Sequence, residues 1–381
     1  MEQKIYYLDN AATTKMFDDV LSEGVKYYKD EFYNPSSVYY KSVEVKRCLS
    51  EAKKTLLNCL GADDGEIIFT GSATEANNMV VFSQKNMKGK KFLFGAGEHP
   101  SVLECAKELL KRGYDVEFIP LSKEGSVDME SYKQMVSCGN VAFVSVQHTS
   151  NETGAVNPIA KLVKLARKFN KDVLFHSDGV QAFSKFGYSV LDLDVDYYTI
   201  SAHKIYGAKG VGALYIKKGV KINPLIFGGG QESGLRSGTE NVFGIMTFKM
   251  CAEKVIKDIE KNYNKVQNMR KELLDELTKN GIDYVIHGEG VPHTMNICLS
   301  KKVRGETLVH ALEKQNIFVS TGSACSSTKN YNTTLEAMGV PAEEILSSIR
   351  ISFSPYMDFD AKFIAKTICE QLKKLEVKSY E

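Results

Sequence analysis

Lys204 closes the run Tyr198-Thr199-Ile200-Ser201-Ala202-His203-Lys204, which sets an amine just past a predicted strand end with a hydroxyl and an imidazole beside it. Such a lysine can form a Schiff base if its ammonium loses a proton readily, and a crowded pocket with neighbouring positive charge lowers its pKa. Ser201 and His203 could both contact a phosphate. Lys204 is also one of 49 basic residues, for any of which a solvated surface position is the plain alternative. Asp178 ends the apolar run Val173 to Ser177, with Gln181 three positions later. A carboxylate there could hold a pyridinium proton, which an electron-sink cofactor requires, or it could cap a helix.

Three further segments carry chemistry. In Thr70-Gly71-Ser72-Ala73-Thr74-Glu75 a β-rich run turns through small residues into a helix, so free amides and the Ser72 and Thr74 hydroxyls make a phosphate site. A capping box explains Ser72 and Glu75 equally well. Glu98-His99-Pro100 follows another β-rich run, where His99 could stack on a ring and move protons, or be structural. Ser320 to Thr328 surrounds Cys325 with small residues, a composition suited to an exposed, mobile loop. A thiol there acts as a nucleophile only as its thiolate.

These residues need elements to position them. From about Glu66 to Ile216, short β-rich runs alternate with amphipathic stretches, the pattern of a parallel sheet covered by helices. The runs are Ile67 to Thr70, Phe92 to Gly95, Val116 to Ile119, Val141 to Val146, Val173 to Ser177, Tyr197 to Ser201 and Gly212 to Ile216. Helices are expected over Glu75 to Gln84, Ser101 to Arg112 and Ile159 to Phe169, where apolar residues recur at three- and four-residue steps. Beyond the glycine-rich Gly228 to Gly238, one long helix is expected over about Thr247 to Lys279. Strand-like Met295 to Leu299, helix-like Glu306 to Gln315, strand-like Ser348 to Phe353 and a terminal helix then suggest an α+β second domain.

Composition narrows the class. A chain of 381 residues with 43% hydrophobic content can bury a large core. Its 49 Lys and Arg nearly cancel 47 Asp and Glu, giving a net charge of +2 and no field that would draw nucleic acid or an anionic membrane. Without a basic head and apolar stretch at its start, or an apolar run near 18 residues, the chain reads as cytoplasmic. Its eight cysteines form no CxxC pair, and its seven histidines show no ligand spacing, so neither a disulfide scaffold nor a metal site is expected. Most cysteines, Cys298 among them, lie in apolar surroundings where a buried, inert thiol is expected.

Taken in order, the motifs resemble the cysteine desulfurases of the NifS/IscS type, class V aminotransferase-like enzymes of the aspartate aminotransferase-like fold (fold type I). The likeness runs almost end to end. It spans Tyr7-Leu8-Asp9-Asn10-Ala11-Ala12-Thr13-Thr14, Asn34-Pro35-Ser36-Ser37, Ala73 to Asn78, Glu98-His99, Asn151-Glu152-Thr153-Gly154 and His176-Ser177-Asp178 with Gln181. It continues through Ser201 to Gly207, Gly228 to Glu232, Arg236 to Asn241, Ala324 to Ser327 and Ser348 to Ser352. Gly179-Val180 stands where the family usually has two alanines, Tyr39 where it commonly has His, and Ser354-Pro355 where glycine is common.

The resemblance implies pyridoxal 5'-phosphate held by Lys204, its ring nitrogen paired with Asp178 and its ring stacked on His99. It places Gln181 and Asn151 near the phenolic oxygen or substrate, Ala73, Thr74, Ser201 and His203 on the phosphate, and Arg350 with Asn151 on the substrate carboxylate. Thr239 would reach the phosphate of a partner subunit, which implies a homodimer. The implied reaction converts L-cysteine to L-alanine, with Lys204 moving the α-proton and Cys325 taking sulfur as a persulfide. That sulfur would pass to an iron-sulfur scaffold or a tRNA thiolation enzyme. The implied large α/β domain covers residues 16–247. Residues 1–15 and 248–381 make the smaller α+β domain, carrying the mobile cysteine loop at about 321–330. Other readings are a selenocysteine lyase or related aminotransferase, which would not need a reactive Cys325, and a non-catalytic sulfur-transfer scaffold.

Overall fold

A computed structural model describes residues 4–87, 89–322 and 332–378. In chain order the strands are β1 (Tyr6–Tyr7), β2 (Glu66–Thr70), β3 (Lys91–Gly95), β4 (Asp115–Ile119), β5 (Val141–Ser145) and β6 (Leu174–Asp178). They continue as β7 (Tyr197–Ser201), β8 (Gly212–Ile216), β9 (Val285–His287), β10 (Thr294–Cys298), β11 (Ile317–Phe318) and β12 (Ser348–Ser352). The seven β-rich runs anticipated between Glu66 and Ile216 are all strands, displaced by a residue or so at their ends.

Those seven form one sheet in the order β2-β8-β7-β6-β5-β3-β4. From β7 through β4 neighbouring strands are parallel, whereas β8 is antiparallel to both β7 and β2. The sheet is therefore mostly parallel. Strands β5, β7 and β8 are buried at every residue, as expected of strands with helices on both faces. Val144, Phe175, Ile200 and Ala213 contribute to one apolar layer, and Phe92, Phe143, Tyr197 and Leu214 to another.

The long helix anticipated over Thr247 to Lys279 is two helices, Val242–Lys257 and Ile259–Lys279, meeting at Asp258. Asp258 has φ −113° and ψ +24°, outside the helical region, so the 3.6-residue pattern carries on across a bend. The second helix packs with the terminal helix Ala361–Lys378. Together they help cover a three-stranded antiparallel sheet, β12-β10-β9. Tyr6 and Leu8 sit in that same apolar cluster with Ile349 and Ile351, because β1 pairs in parallel with β11. Tyr6 to Asp9 are thus built into the sheet system formed by the chain's last hundred residues.

Among the described residues no helix is long and apolar enough to cross a membrane, and no cluster of three or more His, Cys, Asp or Glu could hold a metal ion. The cysteines divide. Cys105, Cys251, Cys298 and Cys369 are buried, whereas Cys48 and Cys59 are partly exposed and Cys138 is exposed, so burial is less general than the sequence suggested. Burial pushes the Cys251 and Cys105 thiols up to about 12.

Candidate active site

The parallel strands β6 and β7 end at Asp178 and Ser201, and a cavity of about 280 Å³ opens there. Ligand sites in open α/β sheets form outside the carboxyl ends of the strands. The cavity is lined by Ala73, Thr74, His99, Asn151, Asp178, Gln181, Ser201, His203, Lys204 and Arg350 among others. Residues drawn from seven separate stretches of sequence thereby face one space. A wider surface groove of about 660 Å³ lies at the opposite ends of β6 and β7, but Arg167 and Lys217 there are already paired with Asp194, and Arg167 with Asp196 as well.

Lys204 follows β7 on a short turn of 3-10 helix, Ala202–Lys204. Its Nζ donates to the carbonyls of Ala11 and Ala12, both at 2.6 Å. Burial, and then the charge of Arg350, press its pKa down from 10.5 to about 8. A neutral amine is therefore accessible near physiological pH, which is the condition for a nucleophilic or basic lysine. Burial and the adjacent Lys204 likewise hold His203 at about 4, so it stays neutral.

Asp178 is 6% exposed, and each of its oxygens is held. Oδ1 accepts from the Val180 amide at 3.0 Å and Oδ2 from Asn77 Nδ2 at 2.8 Å. Asn77 also donates to Ser101 Oγ, and Ser101 Oγ meets His99 Nδ1 at 2.9 Å. This chain of side chains fixes carboxylate and imidazole together. Asn77 lies within the Ala73 to Asn78 motif, but its helix periodicity marks a core-facing position, and nothing local says which strand it meets.

The next residue explains a departure from the family pattern. A Cβ on Gly179 would fall 2.0 Å from the Tyr198 ring, so glycine is the residue that this strand end can hold beside that tyrosine. The Tyr198 hydroxyl reaches His148 Nδ1 at 2.8 Å, which keeps the ring in place.

The helix Ala73–Ser83 presents its N-terminus to the cavity. Ser72 is its N-cap, with Oγ accepting from Glu75 N at 3.1 Å, while Glu75 accepts from Gly71 N and pairs with Arg236. The capping reading and the phosphate reading are therefore compatible. Ser72 satisfies one amide, and a helix leaves several N-terminal amides without intrahelical partners. A Cβ on Gly212 would lie 2.7 Å from the Ala73 nitrogen, so this glycine is what lets β8 approach the helix start closely.

Arg350 comes from the middle of β12, on the other side of the cavity, and is 2% exposed. Nη2 donates to Asp9 at 2.9 Å, and Nη1 to Glu152 at 3.2 Å and to the Asn151 carbonyl at 3.1 Å. Nε is buried with no partner among the described residues, which leaves a donor for a bound anion. Thr239 is not brought to this cavity; it lines a separate one of about 90 Å³ with Thr70, Gly71 and Arg236. Cys325 lies outside the described residues.

One contribution carried no assigned role in the sequence. The segment Asp9 to Thr14 crosses the site: Asp9 pairs with Arg350, and Ala11 accepts from both Lys204 and Gln181. The Thr14 hydroxyl donates to the His203 carbonyl and accepts from Tyr206 N. Its run of small and hydroxyl residues was the available signal, but its partners lie about 170 to 340 positions away.

This fold and cavity are those of an aminotransferase-like enzyme. The chain matches the class-V aminotransferase family model over residues 6–361, and it belongs to that family. It is 37% identical to the cysteine desulfurase IscS of Dictyoglomus turgidum over 357 residues, covering 92% of this chain and 90% of that protein. A solved structure described as a NifS-like protein superposes with a TM-score of 0.91 at 32% identity, over 97% of this chain and 100% of that one. A structure of SspA in complex with cysteine gives a TM-score of 0.80 at 27% identity, over 93% and 100% of the two chains.

The family depends on pyridoxal 5'-phosphate, and the residues present fit that group. A free helix start and the hydroxyl of Ser201 suit its phosphate, the anchored Asp178 suits its ring nitrogen, and an amine held near pKa 8 suits its aldehyde.

Proposed function

We propose that this chain is a cysteine desulfurase that converts L-cysteine to L-alanine and receives the sulfur as a persulfide on Cys325. The observation that carries the reading is the meeting of Lys204, Asp178, His99 and Arg350 around one cavity in a chain whose relatives bear that activity in their names. The cofactor, when bound, supplies an electron sink for the pair left at the substrate Cα. Lys204, as the neutral amine, would take the α-proton; once the sulfur has left, one proton goes to the substrate Cβ and one back to Cα, one of them from Lys204 and the other from solvent. Asp178, fastened by Asn77 and Val180, would hold the ring nitrogen's proton, and His99 would cover the ring. Ala73, Thr74, Ser201 and His203 would hold the phosphate, while Gln181 and Asn151 would bond the cofactor's oxygen or the substrate.

Arg350 and Asn151 take the substrate carboxylate, a task suited to a guanidinium fork. The Cys325 thiolate attacks the substrate sulfur, so the C–S bond breaks, an S–S bond forms, and the carbon skeleton leaves as alanine. The sulfur then passes to an acceptor protein, an iron-sulfur scaffold or a tRNA thiolation enzyme, in the cytoplasm.

Residues 16–247 form the cofactor domain, and residues 1–15 with 248–381 the smaller one. Exposed Phe32, Val38, Tyr40 and Phe227 support burial against a second copy. Thr239 then belongs to the partner's phosphate site.

Alanine and persulfide formation from L-cysteine tests the assignment, with wild type and Cys325→Ala compared and their visible spectra recorded. The reading expects both proteins to be yellow and only wild type to form persulfide and turn over. Equal alanine from both would favour a lyase, and amino transfer to a 2-oxo acid would favour an aminotransferase.

A further inference from the structure

Glu152 is 3% exposed and has three side-chain partners. Oε1 accepts from Arg350 Nη1 at 3.2 Å and from Asn151 Nδ2 at 2.8 Å. Oε2 accepts from Asn332 Nδ2 at 2.8 Å. The two oxygens thus face different parts of the molecule. One side meets the groups assigned to the substrate carboxylate, and the other meets the first described residue after the segment that contains Cys325.

The flank on the near side of that segment reaches the same carboxylate. Ser320 and Arg350 exchange backbone hydrogen bonds, N to O at 3.1 Å and O to N at 2.5 Å. Two residues on, Gly322 has φ +133°, and a Cβ there would lie 2.8 Å from both Glu152 Oε2 and Asn332 Nδ2. Only a residue without a side chain fits against that contact.

Each partner is independently held. Asn332 caps the helix Thr333–Ala337, its Oδ1 accepting from Thr334 N and Leu335 N. Glu152 sits in a turn whose amides at 152 and 153 both reach Ser150 Oγ. Gly154 in that turn packs where a Cβ would fall 2.6 Å from the Thr294 carbonyl of β10. A carboxylate gripped on a fixed turn transmits position, because moving either partner means breaking a buried charge-assisted bond.

We propose that Glu152 is a positioning residue for sulfur transfer, using one carboxylate to set Arg350 and the two flanks of the Cys325 segment relative to each other. The proposal rests on the reading of Arg350 as carboxylate anchor and Cys325 as sulfur acceptor. If substrate is held by its carboxylate, its sulfur has a place relative to Arg350. The acceptor needs the same reference point, and Glu152 supplies it.

The test uses the holoenzyme with three variants. Glu152→Gln keeps size but has one acceptor oxygen where two are used, so it serves Arg350 or Asn332 and not both. Asn332→Ser still caps its helix but is too short to reach Glu152. Gly322→Ala presses on the same contact. L-alanine binding, read from the cofactor's visible absorbance, reports the anchor separately from turnover.

The expected result is that Asn332→Ser lowers kcat by about tenfold to about 100-fold, the scale of a small misplacement of reacting groups, with L-alanine binding unmoved. Glu152→Gln lowers kcat similarly and also weakens L-alanine. Because both act through one carboxylate, the double variant is no slower than Glu152→Gln alone to within about twofold. Effects that multiply in the double variant, or an unchanged kcat in Asn332→Ser, overturn the proposal. Should Glu152→Gln fail to fold, Asn332→Ser and Gly322→Ala must each lower kcat with L-alanine binding intact, or the proposal falls. An Arg350→Lys enzyme that binds L-alanine as well as wild type would instead overturn the anchor reading beneath it.

Discussion

The two walls of the cavity are held by different physics. On the sheet side, Lys204, Asp178, Ser201 and His203 sit at or just past the ends of adjacent strands β6 and β7, and backbone pairing in the sheet places them. On the other side, Arg350 is aimed by ion pairs to partly exposed Asp9 and buried Glu152, residues 341 and 198 positions away. The sheet wall carries an amine and an imidazole pressed toward neutrality, whereas the opposite wall carries a permanent cation compensated by carboxylates. Proton transfer needs the first condition and carboxylate recognition the second.

That contrast predicts different failures. Lys204→Ala should lower turnover by about 10² to 10⁴-fold, the usual worth of a positioned acid-base group, while urea unfolding shows no loss of stability. Arg350→Ala should do the reverse in emphasis, costing about 3–5 kcal/mol of stability because the buried Glu152 carboxylate loses its cation. Equal unfolding midpoints for the two variants would show that the walls are held alike.

A smaller effect tests the strand ends themselves. Gly179→Ala should destabilise the fold by about 1–3 kcal/mol, since the new methyl overlaps the Tyr198 ring. Loss of activity without loss of stability would mean that the ring yields and the neighbouring Asp178 moves instead.

The smallest effect concerns a second buried lysine on the sheet side. Lys185 reaches the Lys204 carbonyl at 3.4 Å, and burial lowers its pKa from 10.5 to about 8. Between those values the unfolded chain binds the extra proton, so this group makes stability rise with pH from about 8 to 10.5 and imposes its full penalty below. Lys185→Met should therefore be more stable than wild type at pH 7 by roughly 1–2 kcal/mol, the relief of an ionisation penalty of about 3 kcal/mol being partly offset by the lost hydrogen bond to the Lys204 carbonyl, with the gain fading toward pH 10.5. A gain that does not vary with pH would show that packing, not ionisation, is responsible.

The sheet wall was largely legible in the amino-acid sequence. Strand-end residues announce themselves because a β-rich run stops at a polar residue, as at Ser177-Asp178 and Ser201, and that signal is local. The anchor wall was not legible from local pattern. Arg350 sits mid-strand in Ser348-Ile349-Arg350-Ile351-Ser352, where alternation alone predicts a solvent-facing arginine, and only the resemblance singled it out. The bend at Asp258 was missed because apolar spacing is continuous through it.

The order of strands and helices from Glu66 to Ile216 and the placing of Asp178 and Lys204 at or just past strand ends were readable in the sequence, since each depends on residues within a few positions of one another. Tertiary structure decided what those residues experience. The depressed pKa of Lys204, the Asn77 grip on Asp178, the crossing of Asp9 to Thr14 and the two-sided role of Glu152 all join distant segments. Such contacts follow from how layers pack, and burial and charge act across space without regard to separation along the chain.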